Sequence, residues 1–123
     1  MRIKFYQLFG EIARIDGVMS VKGDSLKLEM AMTKSASQPV DGILKRSVAF
    51  ADLEEIQIVR RFWRKRDLHL VARTLEAFDR VPGASGFNYK VTPTASKKEL
   101  RAFVVEARLA IAEAAMDRFT EQI

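Results

Sequence analysis

The sequence changes period at Pro93. From Ser96 to Glu121 no glycine or proline interrupts, and Ala, Leu, Arg and Glu dominate, all of them good helix formers. Ser96 and Glu99 open this stretch with the spacing of a capping box. The expectation is one long C-terminal helix over residues 96–121. Before Pro93 the apolar residues recur mostly at every second position, which is the period of a strand. Strands over most of the chain followed by a single helix imply a sheet that the helix covers.

The clearest strand runs through Leu26, Leu28, Met30 and Met32, alternating with Lys27, Glu29, Ala31 and Thr33. The polar turn Lys22-Gly23-Asp24-Ser25 joins it to the segment Ile12 to Val21, so the two read as a hairpin. Lys34 to Gly42, with Pro39, reads as a connector. Ile43–Phe50, Leu53–Phe62, Leu68–Ala72 and Gly86–Thr92 read as further strands, and Leu75–Val81 as one helical turn before Pro82-Gly83. The fold class is therefore mainly β, with six or seven antiparallel strands and one long C-terminal α-helix. With no internal repeat and no linker, residues 1–123 form a single domain, on which residues 1–10 pack as an N-terminal segment.

The helix carries two apolar faces. Placed at about 100° per residue, Leu100, Phe103, Val104, Ala107, Ile111, Ala114 and Ala115 form one. Ala102, Val105, Leu109, Ala112, Met116, Phe119 and Ile123 form the other, nearly opposite. Glu99, Glu106, Glu113, Asp117 and Glu121 line one polar flank, and Lys97, Arg101 and Arg108 the other. The first face covers the sheet. The second is covered either by Ile3, Phe5, Leu8 and Phe9 of the same chain or by a second molecule. Burying Val105, Leu109, Met116 and Phe119 yields about 6–12 kcal/mol gross, against an association cost of about 4–15 kcal/mol. These four residues are the candidate interface of a homo-oligomer, with a dimer favoured. Antiparallel helices are expected to place the acidic flank of one chain near Arg101 and Arg108 of the other.

Charge points to a second region. Lys and Arg number 21 against 16 Asp and Glu, a net charge of +5. The helix holds as many acids as bases, so the excess lies in residues 1–95. It concentrates in Arg60-Arg61-Phe62-Trp63-Arg64-Lys65-Arg66, which also holds the only tryptophan. Arg60, Arg61, Trp63, Arg64, Lys65 and Arg66 are the candidate contacts for an anion or partner: an acidic protein surface, a polyanion or an anionic lipid headgroup. The plainer reading is a solvated hairpin tip whose charges discourage edge pairing.

Catalytic chemistry finds little to work with. The chain has no cysteine and one histidine, which excludes thiol nucleophiles, Cys-ligated metal and multi-His sites. His69 lies between Leu68 and Leu70 in a strand and is expected to face outward. Glu54-Glu55 read as the start of a strand, Gly83-Ala84-Ser85-Gly86 as a turn, and Met19, Met30, Met32 and Met116 as core filler. The expectation is a non-catalytic protein with no cofactor, no metal and no small-molecule substrate. No apolar run reaches membrane-spanning length, and the N-terminus lacks the continuous apolar region of a signal peptide. The expected location is the cytoplasm, or the periphery of a membrane.

Four segments carry a family resemblance: Asp16-Gly17-Val18-Met19, Gly23-Asp24-Ser25-Leu26-Lys27-Leu28, Val48-Ala49-Phe50-Ala51-Asp52-Leu53-Glu54-Glu55-Ile56, and Val81-Pro82-Gly83-Ala84. With the order of strands and terminal helix, the chain from about Glu11 onward resembles the bacterial pleckstrin-homology-like (PH-like) domain proteins. The resemblance implies a small, partly open antiparallel barrel capped by the helix. Phosphoinositide-binding relatives of this superfold use a basic pattern, Lys-x(n)-Lys/Arg-x-Arg, around the first hairpin. Lys22 and Lys27 match its first two places, but Glu29 stands at the final arginine and Asp24 adds negative charge. Eukaryotic members tend to keep a tryptophan in the terminal helix, where this chain has Phe103 and Phe119. The resemblance thus implies an interaction module of undefined ligand.

Overall fold

The computed structural model describes residues 1–10, 13–34, 42–61 and 65–121. Seven strands are formed: β1 (Arg2–Phe9), β2 (Ala13–Lys22), β3 (Ser25–Lys34), β4 (Leu44–Ala49), β5 (Leu53–Arg60), β6 (Arg66–Ala72) and β7 (Asn88–Pro93). One helix, α1 (Lys97–Glu121), follows. Short 3₁₀ turns occupy Phe50–Asp52 and Leu75–Phe78. All pairings are antiparallel, and the order across the sheet is β4-β3-β2-β1-β7-β6-β5. The sheet does not close into a barrel: β4 and β5 are its two edges, and the turn Phe50–Asp52 leads from one to the other.

Alternation sets which side of each strand enters the core. In β3, Leu26, Leu28 and Met30 are buried, while Lys27 and Glu29 are exposed. Its hairpin with β2 turns at Gly23, whose φ of 60° suits a tight two-residue connection. Asp16-Gly17 interrupts the apolar pattern of β2 for a reason found across the ladder. Gly17 lies opposite Phe5, and a Cβ there would sit 2.5 Å from the Phe5 ring. The missing side chain is the seat of that aromatic. Phe5 meets Tyr89 edge-on at 6.4 Å, and Phe78 lies 5.7 Å from Tyr89 on another side. The Tyr89 hydroxyl is buried, donates to Met30 Sδ at 3.8 Å, and is pushed well above its ordinary pKa by that burial. Every buried residue among those described is apolar or aromatic.

The helix starts where the sequence indicates. Ser96 Oγ accepts the Glu99 backbone N–H at 3.2 Å and donates to Glu99 Oε1 at 3.1 Å. Leu100, Phe103, Val104, Ala107 and Ile111 form the buried face, which packs on β1, β5 and the turn Phe50–Asp52. Arg108 Nε donates to Ile56 O at 3.0 Å and Arg118 Nη2 to Ala51 O at 2.8 Å, tying α1 to β5 and the turn.

Several expectations change. Residues 2–9 do not lie over the helix but form β1, in the middle of the sheet between β2 and β7. Ile3 and Phe5 face the core, whereas Leu8 and Phe9 are exposed. The N-terminal segment is thus part of the sheet, because its backbone finds partners on both sides. Met116 is exposed rather than core filler, since α1 turns it away from the sheet. Phe50 leaves the strand for the 3₁₀ turn and is buried there.

Candidate functional site

Among the described residues, the outward face of α1 leaves more large apolar side chains exposed than any other element. Val105, Leu109, Met116 and Phe119 are 56, 59, 66 and 64% exposed. Ala102 and Ala112 fill the spaces between them and are exposed as well. Ile123 lies outside the described residues. The opposite face of the same helix is in the core, so this stripe cannot turn inward without withdrawing Phe103 and Leu100. Its acidic flank holds Glu106, whose carboxylate lies 3.8 Å from the Met1 amino group in an exposed contact, and the exposed Glu113. Its basic flank holds exposed Arg101, and Arg108, whose Nε bonds Ile56 O.

A second feature lies at the start of the helix. Of the six basic-hairpin candidates, Arg60, Arg61, Lys65 and Arg66 are described. Trp63 and Arg64, with Phe62, lie outside the described residues. Arg60 and Arg66 face each other in the β5–β6 ladder. Arg61 is already answered: its Nε lies 2.8 Å from Asp67 Oδ2, and its Nη2 donates to Thr92 Oγ1 at 3.1 Å. The Thr92 hydroxyl in turn donates to Asp67 Oδ1 at 2.9 Å. The sheet order then adds cations from a distant part of the sequence. Tyr6, Lys65, Arg66, Thr92, Pro93 and Lys97 frame a cleft of about 220 Å³. Lys97 is held below its ordinary pKa, first by the like charge of Arg101, then by Arg66, some desolvation and Arg60. Three arginines, Arg101, Arg66 and Arg60, thus act on Lys97 from α1, β6 and β5. Lys97 and Arg101 are visible in the sequence only as a helix flank, because their approach to the hairpin depends on β7 pairing between β1 and β6.

The remaining candidates sit apart. His69 is half-buried on β6. Its Nε2 is 2.8 Å from Asn88 Oδ1, and Gln57 Nε2 is 3.5 Å from its Nδ1. Glu54 and Glu55 are exposed at the start of β5. Gly83 and Gly86 take positive φ in the loop before β7, and Gly83 O accepts from Gln7 Nε2. At the first hairpin Lys22 is exposed and Lys27 Nζ reaches Ser47 Oγ at 3.2 Å. No helix of the described residues is long and apolar enough to cross a membrane. Comparison with known proteins finds no family model, no curated protein and no solved structure that matches the chain.

Proposed function

We propose that this chain is a non-catalytic interaction module, of PH-like type, that self-associates through the outer face of α1. The observation carrying the reading is the stripe of Val105, Leu109, Met116 and Phe119, each more than half exposed on a helix whose other face is buried. Contiguous apolar patches of this kind mark interaction surfaces. Two-fold pairing of identical patches is the commonest way to cover one. The PH-like reading rests on the order of seven antiparallel strands and a terminal helix.

Magnitudes fit a modest affinity. In a symmetric pair the four side chains count twice, and the water-exposed portion contributes about 7–14 kcal/mol gross. Association costs about 4–15 kcal/mol. A weak, concentration-dependent dimer is expected. Light scattering at high micromolar concentration tests it: wild type should have the mass of a dimer, and Leu109→Lys that of a folded monomer. A monomeric wild type overturns the proposal. Two equally stable dimers move the interface to another surface.

A second reading is favoured by the cations that join the hairpin. Arg101, Arg66 and Arg60 together hold the pKa of Lys97 down, so an anion near Lys97 relieves that repulsion. Vesicles rich in anionic lipid should then bind at low salt and release the protein at physiological salt. Arg66→Ala/Lys97→Ala should remove that binding. Retention that ignores both changes rules this reading out.

A further inference from the structure

The outer stripe of α1 has the spacing of a heptad seam. Ala102, Leu109 and Met116 recur every seven residues, and Val105, Ala112 and Phe119 each follow three residues later. All six are exposed. They occupy the two apolar positions, a and d, of a coiled-coil repeat. The flanking charges keep the same interval. Arg101 and Arg108 each precede an a position by one residue, and Glu106 and Glu113 each follow a d position by one. These are the g and e positions, whose charges set the orientation of paired helices.

The orientation follows from which flanks meet. In a parallel, in-register pair, each g residue faces the e residue five positions further along the other helix. Arg101 then meets Glu106 of the second copy, and Arg108 meets Glu113 of the second copy. The two-fold axis repeats both contacts, so Arg101, Arg108, Glu106 and Glu113 each find an opposite charge. In an antiparallel pair, g faces g and e faces e: the glutamates of one helix then face those of the other, and the arginines face no acid. The antiparallel pairing expected from the flanks alone is therefore the one their geometry disfavours.

We propose that the occupant of this face is a second copy of the chain, with its α1 parallel and in register. This rests on the self-association reading above and adds the geometry. The participating groups are accessible. Arg101 and Glu113 are exposed. Among the described residues Glu106 has an exposed contact with the Met1 amino group, of a kind that contributes little. Arg108 uses Nε on Ile56 O, and the terminal nitrogens of a guanidinium carry four more N–H donors. The buried face lies on the far side of the helix, so the two sheets stand on opposite sides of the pair.

The chain has no cysteine, so one introduced thiol reports the geometry. In a parallel, in-register pair, residue 102 lies beside its own copy, within the roughly 7 Å between Cα atoms that a disulfide spans. In an antiparallel pair centred on the seam the two are about 25 Å apart. Ala102→Cys, mildly oxidised at high micromolar concentration, should give a covalent dimer on a non-reducing gel. Glu106→Lys/Glu113→Lys should weaken the dimer about tenfold or more at low salt, and less at high salt. Wild type that light scattering finds monomeric overturns the self-association reading, and this geometry with it. Dimeric wild type overturns the geometry alone if Ala102→Cys does not cross-link, or if it cross-links only when mixed with Phe119→Cys. A lysine variant that dimerises as tightly as wild type removes the charge matching.

Discussion

The two faces of α1 are close in apolar content and opposite in fate. Leu100, Phe103, Val104, Ala107 and Ile111 lie against β1, β5 and the turn between β4 and β5. Val105, Leu109, Met116 and Phe119 meet solvent. What separates them is the destination of another segment. Residues 2–9, the apolar stretch that the sequence offers as a cover for the outer face, sit between β2 and β7 in the sheet. An apolar stripe reports a need for a partner. Whether that partner lies within the chain is decided by where the rest of the chain goes.

The contrast can be tested by substituting each face in dilute protein, where only the fold of one chain is measured. Phe103→Ala removes a fully buried ring and should cost about 3–5 kcal/mol in denaturant unfolding. A loss below about 1 kcal/mol would mean that the inner face is not the core of the fold. Ser96→Ala deprives Glu99 N–H of its acceptor at the helix start and should cost about 1 kcal/mol. It acts on both faces through the helix they share, and an unchanged midpoint would show the cap to be dispensable. Leu109→Ala should leave the dilute protein within about 0.5 kcal/mol of wild type. A larger loss would place the outer face in intramolecular contacts.

The smallest effect concerns the basic flank. Arg101 is the first cause of the lowered pKa of Lys97, so Arg101→Gln should raise that pKa toward the usual lysine value, followed by NMR titration of the side chain. The sign for stability follows from linkage. A lysine whose folded pKa is lowered binds its proton less tightly when folded. The repulsion is therefore present while the lysine is charged and is relieved as pH rises through the lysine range. A pKa of Lys97 that does not respond to Arg101 would uncouple the helix start from the hairpin.

Local patterning made much of the fold legible. The alternation in β3, the two-residue turn at Gly23 and the capped, uninterrupted helix each follow from a few neighbouring residues. So do the two helix faces, because a 3.6-residue period sorts side chains without knowledge of the fold. β1 was hidden for the opposite reason. Ile3 and Phe5 alternate, but Tyr6, Leu8 and Phe9 break the phase, and its partners in β7 lie at Thr92 and Pro93. Gly17 reads as an interruption in the sequence alone, and the reason for it lies across the ladder at Phe5. The candidate site divides in the same way. The outer stripe and the basic hairpin are contiguous or periodic in sequence, whereas Lys97 and Arg101 join the hairpin only through the sheet order.

The junction of β1 and β7 joins β4-β3-β2-β1 to β7-β6-β5 with very little ladder. Its register covers Phe5 with Pro93 and Tyr6 with Thr92, and Pro93 has no N–H to donate. Thr94 N–H reaches Lys4 O at 2.9 Å just beyond it. The two halves of the sheet are each built from neighbouring strands, but this junction joins residues separated by most of the chain, so closing it carries the larger loop-closure entropy. The helix bridges it, resting on β1 from one half and β5 from the other. The surface of α1 that points away from the sheet therefore keeps its position only while that junction is shut. A molecule that binds there and not to an open form stabilises the shut one, so recognition acts as a latch on the junction.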